Sequence, residues 1–160
     1  MSMVEIHNSV AKVYEENKET LEIFECLDEF SDTQNFCDHY GFDIEDSCNA
    51  ILIKAKKPEE FYAMFCVLGA NRLDVNHKAK EAMGAKRVSF ASREEAEAVT
   101  GQIYGGISPL GLPENIKVYM DKNVTDREKL FIGAGNRVSK FFLSPETLIQ
   151  LSSATVLDLT

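Results

Sequence analysis

No apolar run in this 160-residue chain comes near the roughly 20 residues that a membrane-spanning helix needs. The start, MSMVEIHNSVAKVYEENKE, lacks the basic opening and apolar centre of a secretory signal. A cytoplasmic protein without a membrane partner is therefore expected. The four cysteines, Cys26, Cys37, Cys48 and Cys66, include no CxxC pair, so a zinc clamp is not expected and they read as reduced, small, buried apolar residues. Basic residues are scarce in the first third. Residues 1–47 carry only Lys12 and Lys18 against 13 acidic side chains, whereas residues 48–160 carry 15 basic and 13 acidic. That distribution excludes a broad basic face for gripping an RNA duplex, but permits contact with a short single-stranded end.

What is present, 44% apolar and 27% charged residues, fits one globular domain over residues 1–160 with a sizeable core. There is no internal repeat, linker or low-complexity segment. Residues 3–18 place Val4, Val10, Ala11 and Tyr14 at helical spacings. LEIFECL (21–27) reads as a strand. SDTQNFCDHYG (31–41) reads as a short helix, with Ser31, Asp32 or Thr33 as N-cap and Gly41 as terminator. CNAILIKA (48–55) and FYAMFCVL (61–68) predict a hairpin of two strands covered on both faces, because apolar residues follow one another without alternation. VNHKAKEAMG (75–84) predicts a helix, KRVSFA (86–91) a strand, and SREEAEAVTG (92–101) a helix with a Ser92–Glu95 capping box. IKVYMD (116–121), KLFIGAG (129–135) and SKFFL (139–143) predict strands. SPETLIQLSS (144–153) is a helix capped by Ser144 with Pro145 in its first turn, and TVLDL (155–159) a last strand.

Familiar catalytic devices are missing. GISPLG is one residue too long for a nucleophile elbow, and Pro109 removes the N–H that such an elbow uses, so Ser108 is a poor covalent nucleophile. Cys37 and His39 are two apart on a helix and cannot face each other. His7 and His77 read as helix-surface histidines. GAGNRV lacks the third glycine of a dinucleotide fingerprint and leads into a strand, so no nucleotide cofactor is expected. Two glycine loops remain. One is Gly105-Gly106-Ile107-Ser108-Pro109, within the glycine- and proline-rich stretch 101–113, and the other is Gly133-Ala134-Gly135-Asn136. Such loops let backbone N–H groups converge on a carbonyl or an oxyanion, although taken alone they are more often tight turns.

The order of these pieces resembles the YbaK/prolyl-tRNA-synthetase editing-domain family over essentially the whole chain, most specifically over residues 48–158. Gly105 and Pro109 match that family's G-x-x-x-P loop, Asp121 its aspartate after the following strand, and Gly133, Ala134 and Gly135 its glycine loop. LSPETLIQL matches the helix after the last long strand. The resemblance implies an α+β fold, a mixed barrel-like β-sheet surrounded by helices, with a pocket between the 48–55 strand and the two glycine loops. It implies hydrolysis of the ester that joins a wrong amino acid to the 3′ end of a tRNA, through positioning and backbone hydrogen bonds, with no metal and no cofactor. The partners implied are the 3′ end of an aminoacyl-tRNA and an aminoacyl-tRNA synthetase. Carried onto this chain, the catalytic residues are Asn49, Gly105, Gly106, Ser108 and Pro109, and the substrate-binding residues are Asp121, Gly133, Ala134 and Gly135. Lys54, Lys56, Lys57 and Arg137 are candidate phosphate contacts, with a solvated charged face as the alternative.

One position departs from the pattern. Asn49 stands where many members of that family carry a lysine regarded as important for binding or catalysis. Strand alternation puts Asn49, Ile51 and Ile53 on one face and Ala50, Leu52 and Lys54 on the other, so Lys54 cannot substitute. The first reading is a trans-editing deacylase that clears a small amino acid from a mischarged tRNA. The alternative is a catalytically silent module that binds a free amino acid, an adenylate-like ligand or a synthetase, with acidic residues 1–47 either a docking surface or a solvated layer.

Overall fold

The apolar runs in the middle of the chain form the expected hairpin. β2 (Cys48–Lys57) and β3 (Phe61–Leu68) pair antiparallel in a register that sets Cys48 opposite Leu68 and Ala55 opposite Phe61. The structure, a computed structural model, describes residues 5–160. Val4 of the expected apolar stripe lies outside the described residues. The hairpin is the centre of a five-stranded sheet ordered β4-β2-β3-β5-β8, built with β4 (Arg87–Phe90), β5 (Lys117–Asp121) and β8 (Thr155–Leu157). β5 runs parallel to β3, and β8 parallel to β5.

Leu52, Met64 and Cys66 point to one core, whereas Ile53, Ala63, Phe65 and Val67 point to another. Both faces are covered, which is why the two runs are apolar without alternation. The second core is closed by Leu73, Ala79, Met83 and Leu159. Ala79 and Met83 come from the segment expected as one helix, which is a π-helical turn, Val75–Ala79, followed by α3 (Lys80–Met83). The Ala79 N–H reaches back five residues to Asp74 O, and Asp74 caps the turn by accepting from the His77 N–H. The last strand stops at Leu157 because the Leu159 N–H bonds instead to the Asp121 carboxylate.

The second sheet is antiparallel, ordered β1-β7-β6, from β1 (Glu22–Glu25), β6 (Leu130–Gly133) and β7 (Ser139–Leu143). Ile132, Phe141 and Leu143 face the first core, where they meet Val10 of α1 (Asn8–Glu16), Ala96 of α4 (Arg93–Thr100) and Leu148 of α5 (Pro145–Ser152). The opposite face carries Phe24, Phe131 and Phe142. α2 (Thr33–Tyr40) packs on it through Phe36 and Cys37. The expected capping box of α4 is present. Asp32, one of three candidates, is the cap of α2.

Hydrogen bonding divides the strands into two sheets where the sequence led to one barrel-like sheet. Among the described residues the sheets meet through a single parallel bridge, Ser47 with Phe131, and no closed barrel forms. β4 pairs with β2 only from Ile53 onward, and the glycine loop at 105–107 lies against the end of β6. The gap between the open edge of β2 and β6 is where the candidate site sits. Four acidic residues of the first third are matched by basic residues from the rest of the chain: Glu22 pairs with Lys129, Asp28 with Arg137, and Glu45 and Asp46 with Arg127. Among the described residues no helix is long and apolar enough to cross a membrane.

Candidate functional site

A cavity of about 460 Å³ opens between the two sheets. Residues 47–51 at the start of β2 form one wall, residues 104–107 the second, and Phe131, Ile132 and Gly133 of β6 the third; Ser31, Asp32 and Thr33 close it at the start of α2. Arg137 and Lys140 add two cations.

Beyond the bridge at Ser47, the β2 wall is a sheet edge that β4 does not cover. The Ala91 N–H donates to Leu52 O at 3.0 Å, so Leu52 turns its main-chain groups away from β3. By strand alternation Ala50 turns its N–H and C=O to the same edge, where β4 does not reach. Asn49 lines the cavity and accepts from Ser47 Oγ through Oδ1 at 3.3 Å. Its Nδ2 has no protein acceptor among the described residues and is available to a ligand oxygen. Lys54 is committed elsewhere: its Nζ sits 2.7 Å from Glu95 and 3.3 Å from Glu60. It does not reach the cavity, although Cys48 and Ala50 from the same strand face do.

The two glycine loops touch backbone to backbone. Gly135 N donates to Gly106 O at 2.7 Å, and Ile103 N to Gly135 O at 2.9 Å. A Cβ on Gly133 would stand 2.4 Å from Ile107 O, so glycine is needed there for close approach. Gly105 lies in the left-handed region, at φ +91°, within a turn closed by a bond from Gly106 N to Ile103 O at 2.9 Å. The Gly106 amide is therefore engaged. Among the described residues the amides of Gly105 and Ile107 have no protein acceptor.

Of the sequence-derived candidates, the structure brings Asn49, Gly105, Gly106 and Gly133 to one cavity. It places the others in supporting positions. Ser108 is buried; its N–H donates to the Gln102 side chain and its Oγ accepts from the Leu110 N–H at 3.1 Å. Pro109 lines a second cavity of about 590 Å³, which includes Glu114, Lys117 and Leu151 and neither Asn49 nor the 133–135 loop. Asp121 is buried and ties down the chain end, accepting from Leu159 N at 2.8 Å and Thr160 Oγ1 at 3.3 Å. Ala134 is core, and Gly135 packs against His7. His7, expected on the helix surface, caps α1 through Nδ1. The exposed His77 pairs with Asp74 at 3.2 Å.

The thiols near the cavity are not poised nucleophiles. Cys48 lines it, but a hydrogen bond with Cys66, reinforced by burial, pushes its thiol well above the ordinary range. All four cysteines are free and buried. The cavity residue that sequence reasoning missed is Lys140. It is buried, lines the cavity, and lies over the Phe36 ring with Nζ 5.0 Å from the centroid. Burial pushes its ammonium below the usual lysine value. The available signal was a lysine inside SKFFL, a strand apolar on both faces.

The aminoacyl-tRNA editing domain family matches residues 28–151. EbsC of Enterococcus faecalis, provisionally named a Cys-tRNA(Pro)/Cys-tRNA(Cys) deacylase, is 30% identical over 92 residues, 58% of this chain and 56% of its own. A proline–tRNA ligase of Nautilia profundicola is 33% identical over 106 residues, 65% of this chain and 18% of the ligase. The chain thus matches about half the length of the first relative and under a fifth of the second. A crystal structure provisionally described as a trans-editing enzyme for prolyl tRNA synthetase superposes with a TM-score of 0.82 at 23% identity, covering 98% of this chain and 99% of that one. At that identity the likeness shows the fold alone. With the family matched across most of its length, the chain belongs to the aminoacyl-tRNA editing domain family.

Proposed function

We propose that the protein is an aminoacyl-tRNA deacylase that hydrolyses, in trans, the ester between a small wrong amino acid and the 3′ end of a tRNA. The observation that carries this reading is the single cavity lined by Asn49, the turn at Gly105 and the end of β6 at Gly133, in a chain of the editing family. Only the terminal adenosine and its acyl group need enter, which suits a chain with no broad basic face.

In this reading Asn49 Nδ2 donates to an oxygen of the ester and holds the carbonyl. The amides of Gly105 and Ile107 stabilise the developing oxyanion, a role the engaged Gly106 amide cannot take. Water supplies the nucleophile: its oxygen bonds to the carbonyl carbon, the bond to the 3′ oxygen breaks, one proton passes to that oxygen and another to solvent. The raised Cys48 thiol and the hydrogen-bonded, buried Ser108 are poorly suited to forming a covalent intermediate. The reading needs neither metal nor cofactor. Pro109, one residue beyond Ser108, stiffens the loop from outside the cavity. The acidic side chains of residues 5–47 are mostly solvated, and some are matched by basic residues from the rest of the chain; the location implied by translation chemistry is the cytoplasm.

The test is a deacylation screen across mischarged tRNAs, in which at least one pair is expected to lose its amino acid faster with the protein than without. No acceleration for any pair would sink the enzyme reading. The neutral Asn49 favours one alternative, a silent binding module. A large gain of deacylation in Asn49→Lys would support that alternative, and loss or no change would count against it.

A further inference from the structure

Among the described residues Lys140 has no anionic partner, and its ammonium is met only by the face of the Phe36 ring, with Nζ 5.0 Å from the centroid. Lys140 leaves β7 opposite Gly133 with only 6% of its surface exposed. Among the described residues no carboxylate lies within ion-pairing distance and no acceptor takes a hydrogen bond from Nζ. The charged and titratable groups around it are Cys26, Arg137, Cys37 and Asp32. The Asp32 Oδ1 oxygen is taken up by the amides of Gln34 and Asn35 at the start of α2. A buried, unpaired ammonium lowers stability, and an apolar side chain of similar length would fill the same space at less cost.

A second observation at the same cavity is independent of the first. Ser31 is 2% exposed, lines the cavity, and its Oγ has no hydrogen-bond partner among the described residues. Buried hydroxyls are ordinarily satisfied, and this one, in a cavity wall, is free to donate to a ligand oxygen. Asn49 Nδ2 is a third donor without an acceptor. Arg137 stands at the rim, anchored to Asp28 through Nε at 3.0 Å, with Nη1 turned toward Gly105.

We propose that Lys140 and Ser31 form an oxyanion-binding subsite inside this cavity, which receives an anionic oxygen of the ligand. This rests on the reading that the acyl end of a tRNA enters the cavity. Two sources supply such an oxygen: the phosphodiester next to the terminal adenosine, or a carboxylate on the acyl group. Lys140 and Ser31 act as binding and positioning residues and take no part in bond-making.

The experiment uses three hydrolysis-resistant probes with the full chain: 3′-alanylamido-3′-deoxyadenosine, its 5′-phosphate, and the 3′-aspartylamido counterpart. One anionic probe is expected to bind about tenfold or more tighter than the neutral one. A preference for the 5′-phosphate identifies the phosphodiester, and a preference for the aspartyl probe identifies an acyl carboxylate. Lys140→Met should abolish the preference while keeping affinity for the neutral probe, Lys140→Arg should keep part of it, and Ser31→Ala should reduce it severalfold. Binding of the neutral probe with no gain from either anion overturns the subsite and leaves the cavity reading intact. Should no adenosine probe bind, inorganic phosphate is titrated while the Lys140 side-chain signal is followed by NMR. A saturable shift that disappears in Ser31→Ala upholds the subsite against a failed cavity reading, and no shift removes both. Lys140→Met should melt at or above the wild-type temperature, and a clear fall would assign Lys140 a structural role.

Discussion

Gly106→Ala tests the contact between the two glycine loops on which the cavity depends. An alanine Cβ there would lie 1.8 Å from the Asn136 carbonyl oxygen and 2.4 Å from its carbon. Relief to an ordinary 3.4 Å contact requires the loops to part by about 1.6 Å. Neither side yields easily. Asn136 is held because its Oδ1 accepts from Val138 N at 3.0 Å and from Ser139 Oγ at 2.8 Å. The Gly106 carbonyl accepts from Gly135 N at 2.7 Å. Overpacking of this kind costs about 1–3 kcal/mol, and loss of the inter-loop hydrogen bond adds about 1 kcal/mol. For a chain of this size each kcal/mol lowers Tm by roughly 2–4 °C, so the expected fall is on the order of 5–15 °C. The control is Gly41→Ala, where φ is +78° but no atom lies within 4 Å of the added carbon. That variant suffers only the backbone penalty, of about 1 kcal/mol. Thermal unfolding of both variants against wild type decides the matter. If Gly106→Ala melts no lower than Gly41→Ala, the two loops are not in backbone contact and the cavity wall is wrongly placed.

Four further outcomes follow from individual contacts. Hydrogen bonding to Lys54, then to the Ser92 backbone, holds the Glu95 carboxyl down at about 2. Because its folded value is depressed, the stabilisation is present above the usual carboxylate value near 4.5 and is lost as pH falls from there toward 2; melting curves should show Glu95→Gln below wild type at pH 6 and level with it near pH 2. Asp121→Ala should release the chain end, read as faster hydrogen exchange at the Leu159 amide, with deacylation affected little, since this carboxylate binds Leu159 and Thr160; abolished activity in a folded variant would place Asp121 at the chemistry. Ser108→Ala should cost about 1 kcal/mol through the lost acceptor for Leu110 N and retain activity, whereas complete loss with an unchanged melting temperature would revive a serine nucleophile. Gly105→Ala should abolish whatever deacylation the screen finds, because its Cβ would stand 2.3 Å from the Arg137 guanidinium at a positive φ; unchanged activity removes the turn from the site.

The strands and helices with local signals were readable in the chain. Ser92 with Glu95, Ser144 with Pro145, and Asp32 before an apolar stripe each satisfy helix-end amides through side chains close in sequence. The double-sided burial of β2 and β3 showed in unbroken apolar runs. What escaped was set by distant contacts. The π-helical turn at Val75–Ala79 depends on a bond back to Asp74 O, which composition does not announce. The separation into two sheets goes with a glycine loop, distant in sequence, lying against the end of β6. Asp121 falls where the family resemblance puts a site aspartate, yet its carboxylate is used by residues 38 and 39 positions later.

The glycines that line the cavity are glycine for different physical reasons. From sequence, Gly105 and Gly106 both read as amide donors to a ligand. In the fold Gly106 is glycine because Asn136 lies where its Cβ would be, and Gly133 because the carbonyls of residues 106 and 107 do. Those positions select for a missing side chain, so that one backbone can lie on another, and the selection makes no demand on their N–H groups. Gly105 is different, since its positive φ sets the turn that leaves its own amide and that of Ile107 unclaimed among the described residues. The positive charge of the site was hidden for a related reason. Attention to a lysine at the start of β2 led to Asn49 and an apparent loss, while the pairing of β7 with β6 sets Lys140 opposite Gly133 and brings an ammonium to the same cavity from another sheet. Deacylation by Lys140→Met and by Asn49→Lys, measured side by side, decides whether the protein works with the ammonium supplied by β7 or is silent for want of a lysine at 49.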